Sequence, residues 1–137
     1  MWKELLIEIQ KKDNSCLVIN PPALKEKIDA AEITLEIRFP EELKELLLEV
    51  DGDNWFVFSV NRIVENFLSL SSCDYCPNAQ GMLFVAGNGC GDYLGYQPVD
   101  GECISTDIYM WDHEVDELTI VASDLKDAIT KYYNDEI

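Results

Sequence analysis

The sequence predicts an α+β fold in which an antiparallel sheet packs with N-terminal helices and one C-terminal helix. Three observations lead there. Apolar residues recur at helical spacing through the first 50 positions; short aromatic and β-branched runs between turn-forming residues follow; a final helical pattern closes the chain. With 137 residues, 47% of them hydrophobic, the chain is sized for a single domain (1–137) with its own core.

The elements follow in order. From Trp2 to Lys12, Leu5, Leu6 and Ile9 share one face against a charged remainder, and Asp13-Asn14-Ser15 breaks the pattern. Asn20-Pro21-Pro22 predicts a second helix, with Asn20 as its cap and proline in the first turn, continuing over 23–31 with Leu24 and Ile28 inward. Pro40 starts a third over 40–50, where Glu41 and Glu42 suit the positive end of the helix dipole, and Asp51-Gly52-Asp53-Asn54 ends it. The aromatic run 55–60 predicts a buried strand, and Asn61 is expected to cap a short helical piece through Leu70 before a loop at 71–78. Strands are expected at 82–86, 93–96, 104–111 and 118–122, with a glycine-dense turn at 87–92. Ser123 is placed as the cap of a last helix over 124–133 that turns Leu125, Ala128, Ile129 and Tyr132 inward.

Charge narrows the function classes. Ten Lys and Arg against 27 Asp and Glu give a net charge of -17, which repels phosphate backbones and anionic bilayers, so direct nucleic-acid and membrane binding are not expected. A basic protein partner is attracted by the same field, although acidity also serves plain solubility. The first residues interleave charges with apolar positions and lack a signal-peptide core, so a cytoplasmic location with reduced thiols is expected for the five cysteines.

Few local motifs carry chemistry. Cys73-x-x-Cys76 invites a zinc reading completed by Cys90, Cys103 or His113, but the later cysteines are singletons and Pro77-Asn78 indicates a loop, so two unrelated thiols are preferred. Gly87-Asn88-Gly89-Cys90-Gly91-Asp92 lacks the Lys-Ser/Thr of a P-loop and the following helix of a dinucleotide fold; its glycines suit a tight turn between strands that displays Asp92 and Tyr93 at a sheet edge. His113 is the sole histidine, which rules out a multi-histidine metal site, and Asp112-His113-Glu114 is a surface turn sooner than an acid–base pair. Trp55 and Trp111 are expected in the core or along a groove wall. No catalytic residue, metal ligand or cofactor site is expected.

An ordered set of these features resembles the SUKH superfamily (Smi/Knr-like). It comprises Glu36-Ile37-Arg38-Phe39-Pro40 at a helix start, Asp51-Gly52 at that helix's end and an aromatic strand from Trp55. After these come the strand before Gly89-Cys90-Gly91-Asp92, and Tyr109-Met110-Trp111-Asp112-His113-Glu114 ahead of the helix after Ser123. The resemblance spans about residues 20–137; the segment Tyr93-Leu94-Gly95-Tyr96-Gln97-Pro98 departs from the plainer strand usual there. It implies an immunity protein of bacterial type that binds and neutralises a partner toxin, often a nuclease, whose phosphate-binding surface would be basic. The expected contact face comprises Asp92, Tyr93, Asp100, Glu102, Asp107, Asp112 and Glu114, with carboxylates steering and pairing with Lys and Arg of the toxin. A regulatory interaction scaffold of the Smi/Knr type without a toxin is the alternative, and a metal-dependent enzyme a third.

Overall fold

The computed structural model describes residues 1–12 and 16–137, so the break expected at Asp13-Asn14-Ser15 lies outside the described residues. The order is α1 (Trp2–Lys12), α2 (Lys25–Leu35), α3 (Glu41–Glu49), α4 (Val60–Ser71), a 3-10 turn (Pro77–Ala79), β1 (Leu83–Gly87), β2 (Tyr93–Tyr96), β3 (Ile108–Asp112), β4 (Glu117–Ala122) and α5 (Leu125–Tyr133). The strands form one antiparallel sheet in the order β1-β2-β3-β4, as the α+β reading anticipated.

Several local expectations are corrected. Asn20 does not cap α2. Its amide side chain donates to the Asp51 carbonyl and its backbone N–H to that of Gly52, leaving Pro21 and Pro22 outside a helix that starts only at Lys25. With no glycine or proline to stop it, α2 runs on past Ala31 to Leu35. There Glu36 adopts a left-handed φ of 56° while the Glu36 and Ile37 amides close onto the Ile33 and Glu32 carbonyls. Ile28 is buried as expected, but Leu24, expected inward, precedes the helix and is 71% exposed. The cap of α4 is Ser59, which accepts from the Arg62 amide, and not Asn61. Asp124 caps α5, one residue later than expected, while Ser123 donates to Asp127.

The strand expected over 55–60 does not form. Asp53 Oδ1 accepts from the amides of Trp55, Phe56 and Val57 at 2.8, 2.7 and 3.1 Å, curling the segment into a loop whose backbone pairs with the sheet at a Val57–Ala86 bridge. Of the run expected to be buried, Phe56, Val57, Phe58 and Val60 are buried, whereas Trp55 is 51% exposed. β3 is also shorter than the expected 104–111, with Ile104 78% exposed.

The core joins both layers. Leu6, Leu43, Leu46, Leu47 and Ile63 from the helices meet Leu83, Phe84, Leu94 and Ile108 from the sheet, all fully or almost fully buried. Tyr96 is the largest side chain among them, and its hydroxyl donates to Glu42 Oε2 at 2.6 Å. The same oxygen accepts from the Leu125 amide at 2.9 Å, so one carboxylate ties β2, α3 and the start of α5 together. Burial holds the Tyr96 phenol far above its ordinary range, hence as a neutral donor.

Gly52 is the most constrained turn residue. Its φ is +77°, and a methyl group there would stand 2.5 Å from the Ser59 amide nitrogen. Gly81 has nearly the same φ, +78°, with nothing within 4 Å. Gly81→Ala is therefore expected to cost about 1–2 kcal/mol, the left-handed backbone alone, and Gly52→Ala about 1–3 kcal/mol more, from the collision. Urea unfolding of the two variants checks this; equal losses would show that the 51–59 segment yields freely.

Candidate functional site

Asp51 to Asn54 form a hub of backbone contacts. Asp51 Oδ1 accepts from the Val60 amide at 2.8 Å and thereby closes the first turn of α4, while Lys27 of α2 approaches Oδ2 at 3.7 Å. The Asn54 side chain accepts from the Val18 amide at 2.7 Å. These bonds hold open a cleft of about 350 Å³ between the 53–59 loop, the start of α4 and the glycine turn. Phe56, Phe58 and Tyr93 contribute aromatic walls, and Trp55, 51% exposed, stands at the rim. Trp55 is thus a groove-wall residue, whereas Trp111 belongs to the core.

Arg62 is the cleft's cation. Its guanidinium lies 4.4 Å from the centroid of the Phe58 ring, and none of the ion pairs among the described residues includes it. Asp53 also lines the cleft; burial pushes its carboxyl upward, against three backbone amides that pull it down. Sequence reasoning passed over Arg62. Its rarity, as one of two arginines in a chain with 27 acids, was the available signal.

The glycine turn is accessible: Gly89 and Cys90 are exposed and Gly91 and Asp92 half-buried. It does not end at a free sheet edge, because β2 lies between β1 and β3. Tyr93 is accordingly half-buried in an aromatic cluster, with ring centroids 5.7, 5.6 and 5.8 Å from those of Phe58, Phe84 and Trp111. The Asp92 carboxylate is already engaged: Oδ1 lies 2.6 Å from His113 Nδ1 and accepts from the His113 amide at 3.1 Å, and Oδ2 meets the Asn88 side chain at 3.3 Å. Gly91 is needed beneath this pair, since a methyl group there would lie 2.8 Å from the imidazole.

The residues expected on one contact face are divided between the two ends of the sheet. Tyr93 pairs with Trp111, which places Asp92, Tyr93, Asp112 and Glu114 at one end. Residues 97–107 leave β2 at the other, carrying Asp100, Glu102 and Asp107, where Arg38 bridges Glu102 and donates its amide to the Gly101 carbonyl. Asp100, Glu102, Asp112 and Glu114 are exposed; Asp92, Tyr93 and Asp107 are partly buried. Antiparallel connectivity causes the split, because successive turns alternate ends.

The cysteines also differ from expectation: Cys73 and Cys76 are joined in a disulfide instead of standing as unrelated thiols. Cys103 is held apart from them, its thiol pushed up to about 11 by burial. The group with metal-ligand character among the described residues is Asp92, Asp112 and His113, whose donor atoms lie within 4.8 Å of one another. In it His113 can serve as an internal cation, bonded to Asp92.

Hydrogen bonding to Asp92 raises the His113 imidazole above its ordinary 6.5. Burial pushes Asp92 up, but the bonds from His113 and Asn88 outweigh it and hold the carboxyl below 3.8. The histidine's contribution is full below its unfolded pKa and fades as pH rises through the raised folded value. The aspartate's is full above its own unfolded pKa and fades as pH falls through the lowered one. The pair is thus strongest between 3.8 and 6.5. In an NMR titration Asp92→Asn should return His113 toward 6.5, and the variant's deficit in melting temperature should shrink as pH rises above the His113 transition. An unshifted His113 would separate the two groups.

The resemblance read from the sequence is borne out. The model of the SMI1 / KNR4 family (SUKH-1) matches residues 22–131, from the extended segment before α2 into α5. No curated protein matches the chain. With most of its length covered, including the 51–59 hub, the cleft and the glycine turn, the chain belongs to the SMI1 / KNR4 family (SUKH-1).

Proposed function

We propose that this SUKH-1 domain is an immunity protein: a cytoplasmic binding protein, without catalysis of its own, that neutralises a cationic toxin of the nuclease class. The observation that carries the reading is a cleft with an exposed tryptophan at its rim, next to a turn flanked by the exposed carboxylates of Asp112 and Glu114, in a chain of net charge -17. Aromatic side chains at a rim supply the large buried area typical of binding hot spots, and carboxylates supply charge-assisted bonds to Lys and Arg.

The ends of the sheet have different parts in this proposal. Asp112 and Glu114 contact the partner beside the glycine turn, with Asp92 and Tyr93 shaping the surface from beneath. Asp100, Glu102 and Asp107 at the far end add to the long-range field that speeds encounter and make few contacts. A surface of this sign competes with nucleic acid for the basic face a nuclease must present.

The test uses a toxin encoded beside this chain, a secreted protein with a C-terminal nuclease domain. Co-expression should rescue cells from it. Reversing Asp112, Glu114 and Asp107 to lysine should slow association about 10-fold or more at low ionic strength and flatten the salt dependence. Trp55→Ala should act mainly by speeding dissociation. Absence of rescue would remove the immunity reading and leave a regulatory scaffold. Rescue with unaltered rates in the charge variant would remove the electrostatic part.

A further inference from the structure

The two edges of the sheet are treated differently. Along β1 the 56–58 segment closes the edge: the Phe58 amide donates to the Val85 carbonyl at 2.8 Å and the Gly87 amide to that of Phe56 at 3.0 Å. β4 has β3 as its one strand partner, and among the described residues no hydrogen bond joins the backbone of residues 117–120 to any segment beyond β3. Both ends of this opening are finished. Asn78 binds the Asp116 carboxylate and carbonyl, and Lys131 Nζ donates to the Val121 carbonyl at 3.2 Å beside the irregularity opposite Ile108 and Tyr109. What remains open is a window four residues long, about 13 Å at the usual rise per residue.

Soluble proteins blunt such an edge with lysine, proline or a strong twist. This window has neither lysine nor proline, and the bulge lies beyond it at Val121: its residues are Glu117, Leu118, Thr119 and Ile120, with Ile120 54% exposed. Leu118 and Ile120 lie on one face, alongside their partners Trp111 and Tyr109, and form an apolar strip. Carboxylates of Asp112, Glu114 and Glu117 are exposed around its N-terminal end. A second copy of the chain would bring the same charges and a further -17 to this edge, so the electrostatics disfavour self-pairing.

We infer that the open edge of β4 is a strand-addition site for an extended segment of a cationic protein partner, with apolar residues over Leu118 and Ile120 and Lys or Arg toward the acidic end. Main-chain bonds supply affinity in this mode, and alternate side chains select the sequence. The inference rests on the partner being a cationic protein and not on its being a toxin.

The probe is a synthetic nine-residue peptide alternating lysine with valine or threonine. It is compared with two analogues of equal charge, N-methylated at alternate residues in either register so that one removes the edge-facing donors. With the full chain, the plain peptide should slow amide exchange selectively at 117–120 by 10-fold or more, one analogue should bind at least 10-fold more weakly, and Ile120→Lys should weaken the plain peptide similarly without lowering the melting temperature. Equal binding of all three peptides would reduce the contact to charge attraction and overturn the inference. So would unprotected 117–120 amides, no binding, or protection that grows with chain concentration in the absence of peptide. These experiments need no toxin, so a failed rescue with intact peptide protection removes the immunity reading alone, and the reverse result removes the edge alone.

Discussion

Two aspartates separated by a glycine set the geometry on which everything near the cleft depends. Asp51 faces the helical layer: its carboxylate accepts from the first amide of α4, and its backbone N–H and C=O bind the Pro21 carbonyl and the Asn20 side chain. Asp53 turns to the loop that follows it and collects three consecutive amides on one oxygen. Gly52 between them must occupy left-handed space against the Phe58–Ser59 backbone, where a side chain has no room. One short turn therefore fixes where α3 stops, where α4 starts and how the 53–59 loop meets β1. Partly burying the Asp53 carboxylate is costly, and its amide bonds offset that cost.

The electrostatics have two scales. At long range the chain is a strongly negative body, which sets the sign of any partner and the salt sensitivity of encounter. At short range individual carboxylates have separate duties. Glu42 binds Tyr96 and the start of α5, Asp92 binds His113, Asp116 accepts from the Trp111 indole, and Asp127 from Ser123 and Lys131. Such groups are committed inside the fold, and their removal would damage structure before recognition. Asp112 and Glu114, exposed at the glycine-turn end, are the ones available for contact.

Much of the fold was legible because periodicity reports burial directly. α1, α3, β1, β2, β4 and the inward face of α5 follow from spacing and turn residues alone. The failures share a cause. At 55–60 the aromatic composition correctly indicated burial but could not show that Asp53 would take the amides a strand needs for its ladder. Asn20 had the identity of a cap, yet its donors were claimed by the 51–52 carbonyls from a distance in sequence. At the site, the glycine turn was located correctly, while the grouping of carboxylates was not: strand order decides which turns share an end, and composition is blind to it. The Asp92–His113 pair required coordinates, since its members stand 21 residues apart, whereas Arg62 lies four residues from Phe58 and was marked in the sequence by its scarcity alone.

The central claim is that recognition occurs at the end of the sheet where the cleft, the glycine turn and the Asp112–Glu114 turn meet. Hydrogen–deuterium exchange of the chain, alone and saturated with its cognate toxin, tests this most directly. The account predicts protection at residues 54–59, 87–92 and 112–120, with α1 and the exposed face of α2 unchanged. Protection confined to α1 and α2, with those segments exchanging as in the free chain, would contradict it.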